Sequence, residues 1–266
     1  MKELENSIGW SFNYIAITND PKQAQNLSKC GIQQIMVDTE IIGKVERQGH
    51  KDTIISHHSL SDIIALNDLS LEAEIICRIN PFHNGTFDEI DTAIKNGADI
   101  IMIPMITSME NYQSMVDRVN GKAKVLPLIE TPYSFFKLSE ILSYSKITQV
   151  HFGLNDLCIS LGMKNLFEVL LSQTFQDIVS ELKINGLTKG IGGIGDPQIS
   201  QKVSPLALLN RYMKCGSNSV ILSRSFFTKS SEKEYIIRSL EIFENSIKAG
   251  YNSSTDSELI KQVNGM

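Results

Sequence analysis

The sequence predicts a single (β/α)8 barrel, or TIM barrel, with a C-terminal helical extension. Short apolar runs typical of buried strands alternate with helical patterns, and eight such units follow one another at intervals of roughly 25–35 residues. No linker or change of composition divides the chain of 266 residues, a length normal for one α/β barrel. We expect one domain over residues 1–266, with the barrel at about 10–250 and a tail at 251–266. An open doubly wound sheet is the alternative, but it fits eight units in this length less well.

The strands are predicted from runs rich in Val, Ile and Leu that are bounded by Gly, Pro or polar turn residues. These runs span residues 12–18, 34–37, 74–79, 99–104, 124–129, 148–153, 188–194 and 219–222. Helical patterns begin at residue 21 and cover 59–67, 87–96, 108–119, 135–142, 165–185, 203–214 and 231–248, with a weak pattern at 257–263. Asp20 before Pro21 is a predicted N-cap, and Gly97 is a predicted helix stop.

The composition excludes several classes of function. A formal net charge of −5, with 21% charged residues, lacks the basic surplus that nucleic acid or an anionic membrane requires. The N-terminus does not resemble a signal peptide, and no apolar run approaches the roughly 18 residues of a membrane span. The four cysteines are scattered singly, without the spacing of a zinc or redox motif. We therefore expect a cytoplasmic protein with no nucleic-acid or membrane partner.

Two carboxylates, Glu130 and Asp156, follow the fifth and sixth predicted strands. A helical pattern between these strands predicts a crossover that makes them parallel, which brings both carboxylates to one edge of the sheet. Paired carboxylates at such an edge are a natural site for a hard divalent cation. The alternative is that each residue only caps the helix or turn that follows it. Because the two lie at matching strand ends, we favour the metal interpretation.

Further candidates follow from the rule that chemistry in a barrel lies at the carboxyl ends of the strands. Arg78 stands in an otherwise apolar run, so its permanent charge needs an anionic partner. That partner is either a structural carboxylate, Glu40 or Glu130, or the carboxylate of a substrate. The complete set of strand-end candidates is Asp38, Glu40, Arg78, Pro104, Glu130, residues 153–156 and the Gly-rich segment 192–196.

The histidines and the polar loop 43–58 supply the remaining candidates. The loop follows a barrel strand, so Arg47 or His50 is expected to face the site, although a solvated loop is the default for such a segment. We interpret His57 and His58 as helix-cap or surface residues. His83, in the loop after the third strand, is a candidate acid or base, and His151 is interpreted as a structural histidine.

Several segments together resemble the HpcH/HpaI aldolase and citrate lyase β-subunit family. They are V-D-T-E at 37–40, C-R-I-N at 77–80, N-G-A-D-I-I-M-I-P-M-I at 96–106, L-I-E-T at 128–131 and F-G-L-N-D-L-C-I-S-L-G at 152–162. The resemblance implies a TIM barrel in which Glu130 and Asp156 hold Mg²⁺ or Mn²⁺. It also implies cleavage or formation of a carbon–carbon bond next to a 2-oxo acid such as pyruvate or oxaloacetate.

The resemblance further assigns roles to residues and suggests an assembly. Arg78 is expected at the oxo-acid carboxylate and enolate oxygen, and the backbone of Gly153, Leu154 and Asn155 is expected to contact the substrate. We add Glu40, Pro104 and Arg47 as expected substrate-binding residues because of their places at strand ends. Family members are commonly hexamers in which the C-terminal helix packs on a neighbour, so a homo-oligomer is expected.

The sequence departs from the family at two positions that carry chemistry. Family aldolases have a histidine directly after the glutamate of the second strand and an aspartate before the G-A of the fourth, where this chain has Ile41 and Asn96. The connection between strands four and five is also short. Candidate bases are therefore His50, His83 or a metal-bound water. Besides a lyase, the sequence leaves open a condensing enzyme of specialised sugar or siderophore biosynthesis, and a non-catalytic barrel that binds metal and oxo acid.

Overall fold

The computed structural model is a closed barrel of eight parallel strands whose order around the barrel is their order in the chain. The structure describes residues 9–44, 57–144, 147–182, 184 and 186–265. The strands are β1 (Asn13–Ile17), β2 (Gln34–Asp38), β3 (Glu74–Arg78), β4 (Ile100–Ile103), β5 (Lys124–Ile129), β6 (Gln149–Phe152), β7 (Thr188–Ile194) and β8 (Ser219–Leu222). The predicted (β/α)8 barrel is confirmed.

Helices lie between the strands and beyond the last one. They are α1 (Pro21–Lys29), α2 (Leu60–Asn67), α3 (Thr86–Lys95), α4 (Met109–Val119), α5 (Pro132–Phe136), α6 (Leu138–Ser143), α7 (Leu154–Ser160), α8 (Leu166–Leu171), α9 (Gln173–Ser180), α10 (Pro205–Lys214), α11 (Lys233–Ala249) and α12 (Ser253–Asn264). A 3-10 helix at Arg224–Phe227 follows β8.

Local sequence explains where several helices begin and end. The Asp20 side chain accepts a hydrogen bond from the Lys22 N–H at 2.8 Å, as predicted for the N-cap of α1. Gly97 has a φ of 107° just after α3, a left-handed conformation that suits glycine at a helix stop. The single helix predicted at 165–185 is wrong, because Ser172 ends α8 and its side chain caps α9.

The barrel interior is filled in layers. Its apolar layer is formed by inward-facing side chains of β1 to β5, namely Ile15, Met36, Ile76, Ile100, Met102, Leu126 and Leu128. Below it, towards the amino ends of the strands, Gln34 and Gln149 exchange two hydrogen bonds of 2.9 Å across the barrel. Above it, towards the carboxyl ends, the inward positions become charged. The filled interior therefore leaves the carboxyl rim as the place for a site.

The C-terminal extension packs on its own barrel. Arg211 of α10 and Asp256 of α12 form a buried ion pair at 3.0 Å. Leu259 and Val263 of α12 are buried as well. The weak pattern predicted at 257–263 is thus part of a longer helix that begins at Ser253. This helix contacts its own chain, whereas the family resemblance suggested contact with a neighbour. The expected homo-oligomer, a hexamer, stays a prediction.

Candidate functional site

Glu130 and Asp156 come together at the carboxyl rim, as predicted. Glu130 directly follows β5, Asp156 lies in the first turn of α7, and their exposed fractions are 3% and 6%. Burial and the charges of Glu40 and Asp156 raise the pKa of Glu130 well above its usual range, against the opposing charge of Arg78. Three buried carboxylates, Glu130, Glu40 and Asp156, therefore lie close enough to repel one another.

The alternative interpretation, in which these two carboxylates cap helices, is wrong. The N-cap of α5 is Thr131, whose hydroxyl accepts from the Ser134 N–H at 3.0 Å, and the N-cap of α7 is Gly153. The Oε1 of Glu130 instead accepts a hydrogen bond of 2.9 Å from the Met105 N–H, across on the loop after β4. This bond fixes the orientation of the Glu130 carboxylate within the rim.

Gly153 allows the chain after β6 to pass directly over Glu130. A Cβ at this position would lie 2.8 Å from both the Cβ and the Oε2 of Glu130, closer than van der Waals contact allows. Its φ of −84° is ordinary, so close approach explains the glycine. Leu154 is buried in the hydrophobic core, while Asn155 is half-buried in the first turn of α7. The expected backbone contacts of these three residues with a substrate stay predictions.

Arg78 is held by a carboxylate that we did not predict as its partner. The register of β2 and β3 places Asp38 beside Arg78, and the guanidinium binds it bidentately, with Nε to Oδ1 and Nη2 to Oδ2 both at 2.7 Å. The expected partner Glu40 lies farther away, at 3.5 Å from Nε. Glu130 acts on Arg78 through its charge.

Lys44 completes this charged cluster. Its Nζ lies 2.9 Å from Asp38 Oδ2 and 3.7 Å from Glu40 Oε2, and the lysine is buried. Burial alone would raise the pKa of Asp38, but the charges and hydrogen bonds of Arg78 and Lys44 hold it well below its usual range. Asp38 therefore stays ionised and holds both cations in place.

His58 lies at this cluster, so our interpretation of it as a cap or surface residue is wrong. Its Nδ1 accepts a hydrogen bond of 3.0 Å from the backbone N–H of Asp38, at the end of β2. The cap of α2 is the next residue, Ser59, which forms a capping box with Asp62. Burial lowers the pKa of His58 and so favours its neutral ring. The sequence carried no signal for this contact, because a long loop separates His58 from β2.

The other candidates are placed as follows. The His83 Nδ1 lies 2.8 Å from the hydroxyl of Thr86, at the start of α3, so the imidazole is held within its own turn. Pro104 is buried directly after β4. His151 is buried in β6 with its Nε2 3.0 Å from the Gly192 carbonyl, in keeping with a structural histidine, and burial lowers its pKa to about 4. Arg47 and His50 lie outside the described residues.

The structure places both residues that depart from the family pattern, Ile41 and Asn96. Ile41 is 57% exposed, and its N–H donates to the Asn80 Oδ1 at 2.9 Å. The Asn96 side chain donates to the Leu60 carbonyl at 2.7 Å, which ties the end of α3 to the start of α2. Neither residue supplies an acid or a base. Only residues 104–108 separate β4 from α4, which confirms that this connection is short.

The donor set at Glu130 and Asp156 fits a hard divalent cation. Carboxylate oxygens are the ligands that Mg²⁺ and Mn²⁺ prefer, and Mg²⁺ is commonly held by one or two carboxylates with water completing its shell. A cation here would also offset the repulsion that raises the pKa of Glu130. Within the described ranges, no group of three or more His, Cys, Asp or Glu side chains forms a metal cage. Among the described residues, Glu130 and Asp156 are therefore the candidate ligands.

The fold and this rim together define a (β/α)8 barrel with an acidic centre. The model of the HpcH/HpaI aldolase/citrate lyase family matches residues 14–188, and the chain belongs to this family. The resemblance seen in the sequence is confirmed. Membership supports a metal-dependent lyase-type function in general and leaves the substrate and the exact reaction open.

Two solved structures share the fold. An HpcH/HpaI aldolase from Desulfitobacterium hafniense DCB-2 has a TM-score of 0.58 and 14% identity, over 80% of this chain and 86% of that one. An HpcH/HpaI aldolase/citrate lyase family protein from Burkholderia cenocepacia J2315 has a TM-score of 0.59 and 14% identity, over 91% and 96%. No curated protein matches the chain. None of the described helices is both long and apolar enough to cross a membrane.

Proposed function

We propose that this protein is a carbon–carbon lyase of the aldolase class that depends on a divalent metal and acts on a 2-oxo acid such as pyruvate or oxaloacetate. One observation carries the proposal: Glu130 and Asp156 lie buried together at the carboxyl rim, and Arg78 is close enough for its positive charge to lower the pKa of Glu130. Buried carboxylates that repel one another are stabilised by a bound cation, and a fixed guanidinium beside them can bind an anionic group of a substrate. Family membership adds independent support.

Glu130 and Asp156 are the proposed ligands of Mg²⁺ or Mn²⁺. When bound, such an ion supplies Lewis acidity to the oxygens of a 2-oxo acid and stabilises enolate charge. The hydrogen bond from the Met105 N–H holds the Glu130 carboxylate in one orientation before any ligand arrives. Such preorganisation is what a catalytic centre requires of its ligands.

Arg78 is proposed to bind the substrate carboxylate and to stabilise the developing enolate oxygen. Its bidentate pair with Asp38 uses one N–H of Nε and one of Nη2, so the Nη1 group and the second N–H of Nη2 are the donors that remain for a substrate. Asp38 and Lys44 are then positioning residues, because they act on the substrate through the orientation of the guanidinium. Cleavage also requires removal of the proton from the aldol hydroxyl. His50 and a metal-bound water are the candidates, with His83 less suited because Thr86 holds it.

A second candidate function is a non-catalytic barrel that binds metal and oxo acid. The structural roles of Ile41 and Asn96, which replace the acid/base pair of the family aldolases, favour it. It predicts stabilisation of the protein by Mg²⁺ with pyruvate or oxalate, without turnover. A lyase instead releases pyruvate from 4-hydroxy-2-oxo acids, which a coupled lactate dehydrogenase assay detects.

The ligand assignment is tested by substitution of each carboxylate. Isothermal titration with Mn²⁺ is expected to show binding to the wild type and a loss of at least about 100-fold in Glu130→Gln and Asp156→Asn, since each removes one of two anionic ligands. Glu140→Gln, an exposed glutamate of α6, is the matched control and should bind as the wild type. Unchanged Mn²⁺ affinity in either site variant would remove the basis of the proposal.

A further inference from the structure

The loop after β4, residues 104–108, supplies the hydrogen bond that orients Glu130, and we refer to it as the β4 loop. Pro104 has no N–H, so the first backbone donor after β4 is that of Met105, which binds the Oε1 of Glu130 at 2.9 Å. Met105 has a φ of 48°, in the left-handed region that residues other than glycine rarely adopt. A strained backbone conformation persists only where surrounding contacts hold it. The β4 loop therefore needs such contacts.

Thr131, the residue after Glu130, provides one of these contacts. Its hydroxyl donates a hydrogen bond of 2.6 Å to the carbonyl oxygen of Ile106, the residue after Met105. Thr131 is 3% exposed and Ile106 is 2% exposed, so loss of this bond would leave a buried polar group unsatisfied. The Ile106 side chain also packs in the hydrophobic core. Because the two hydrogen bonds join neighbouring residues on both sides, they close a ring between the β4 loop and the end of β5.

A third hydrogen bond ties the far end of the β4 loop to α5. The N–H of Met109, the first residue of α4, donates to the hydroxyl oxygen of Tyr133 at 3.1 Å. All three bonds run between the same two segments, residues 105–109 and residues 130–133. Interactions within one network are coupled, so the loss of one of these bonds weakens the others.

The Thr131 hydroxyl also caps α5, and the neighbouring Ser134 allows the two roles to be separated. The hydroxyl donates its single proton to Ile106, its shortest contact, and accepts from the Ser134 N–H at 3.0 Å. Within the described structure, the hydrogen bonds of the Ser134 side chain are all with Thr131. A change at Ser134 therefore disturbs the cap of α5 and leaves the bond to the β4 loop in place.

We propose that Thr131 is a positioning residue for the candidate metal centre. Its hydrogen bond to Ile106 holds the β4 loop in the conformation in which the Met105 N–H binds Glu130. The inference rests on the proposed function, because it takes Glu130 as a metal ligand. Contacts that orient a metal ligand contribute about 10- to 100-fold to metal affinity. Thr131 acts on the ligand through the loop, so we expect an effect at the lower end of this range.

The test separates the contact with Ile106 from the cap of α5. Isothermal titration with Mn²⁺ should show a loss of about tenfold in Thr131→Val, which keeps the shape of the side chain and lacks the hydroxyl. Thr131→Ser keeps the hydroxyl and should bind Mn²⁺ within about twofold of the wild type. Ser134→Ala is the matched control: it should lower the midpoint of urea unfolding in EDTA, because the cap is weakened, and keep the wild-type Mn²⁺ affinity.

Two further measurements support the titration. Amide hydrogen exchange of Met105 in EDTA reports whether its N–H stays bound to Glu130, and exchange should be faster in Thr131→Val than in the wild type or in Ser134→Ala. Tyr133→Phe removes the acceptor of the Met109 N–H. It should lose about threefold in Mn²⁺ affinity, less than Thr131→Val, because its contact lies farther along the loop from Glu130.

Each outcome decides the inference. Wild-type Mn²⁺ affinity in Thr131→Val, or an equal loss in Ser134→Ala, would overturn it, because Thr131 would then act only as a helix cap. A loss in Thr131→Ser as large as in Thr131→Val would overturn it as well. If Thr131→Val does not fold, unchanged affinity in Tyr133→Phe has the same consequence. The proposed function survives these results as long as the wild type binds Mn²⁺, whereas a wild type that binds no Mn²⁺ would refute the proposed function and this inference with it.

Discussion

Replacing Gly153 with alanine is expected to weaken metal binding without changing any charge. The new Cβ would lie 2.8 Å from the Cβ and the Oε2 of Glu130, whereas carbon atoms in contact are about 3.5–4.0 Å apart. Either the turn after β6 or the Glu130 side chain must therefore move by roughly 0.7–1.2 Å. Both are held, the turn by the Gly153 N–H bond of 3.0 Å to the Ile129 carbonyl and Glu130 by its bond to Met105. Overpacking of this kind costs about 1–3 kcal/mol.

The functional consequence follows from the same displacement. A ligand moved by about 1 Å no longer fits a preorganised centre, so we expect Mn²⁺ affinity to fall about tenfold or more. Isothermal titration measures the affinity, and urea unfolding in EDTA measures the stability. Gly193→Ala is the matched control, because its Cβ would meet nothing closer than 3.6 Å and should cost less than about 0.5 kcal/mol. If Gly153→Ala binds Mn²⁺ like the wild type and is as stable as Gly193→Ala, the close contact between this turn and Glu130 is refuted.

Two further predictions concern buried charge. Asp38→Asn removes the carboxylate that Arg78 and Lys44 share and should lower the free energy of unfolding by about 3–5 kcal/mol. Asp91→Asn, at an exposed ion pair, should lower it much less, and similar losses of the two variants in urea unfolding would contradict this. Folding raises the pKa of Glu130, so the metal-free native state binds a proton at this carboxylate more tightly than the unfolded chain does. The free energy of unfolding should therefore fall as the pH rises from the usual glutamate range through the raised pKa. Unfolding in EDTA at pH 5 and pH 8 should show a larger loss in the wild type than in Glu130→Gln, and equal losses would contradict the shift.

Periodicity and strand ends were sufficient to predict the barrel and its acidic pair. Short apolar runs with helical patterns between them have few topological solutions, and in a barrel each residue after a strand falls at one rim. Glu130 and Asp156 could therefore be assigned to the same rim from spacing alone. The break of the helix at Ser172 was missed because its apolar pattern continues across the junction, while the Ser172 hydroxyl caps a second helix.

Contacts between distant segments were not predictable in the same way. The pairing of Arg78 with Asp38 depends on the register of β2 against β3, which places the two residues side by side. A carboxylate two residues farther along, Glu40, fitted the sequence equally well. The position of His58 depends on how the chain returns to β2 after a long loop. Such relations exist only in the folded barrel.

The most direct test of the central claim is a crystal structure of the protein with Mn²⁺ and oxalate, a mimic of the pyruvate enolate. Anomalous scattering locates the metal independently of the protein coordinates. The proposal predicts one strong peak at a coordination distance of about 2.0–2.4 Å from carboxylate oxygens of both Glu130 and Asp156, with oxalate on the side of Arg78. A peak bound by other residues, or none at these two carboxylates, would contradict it.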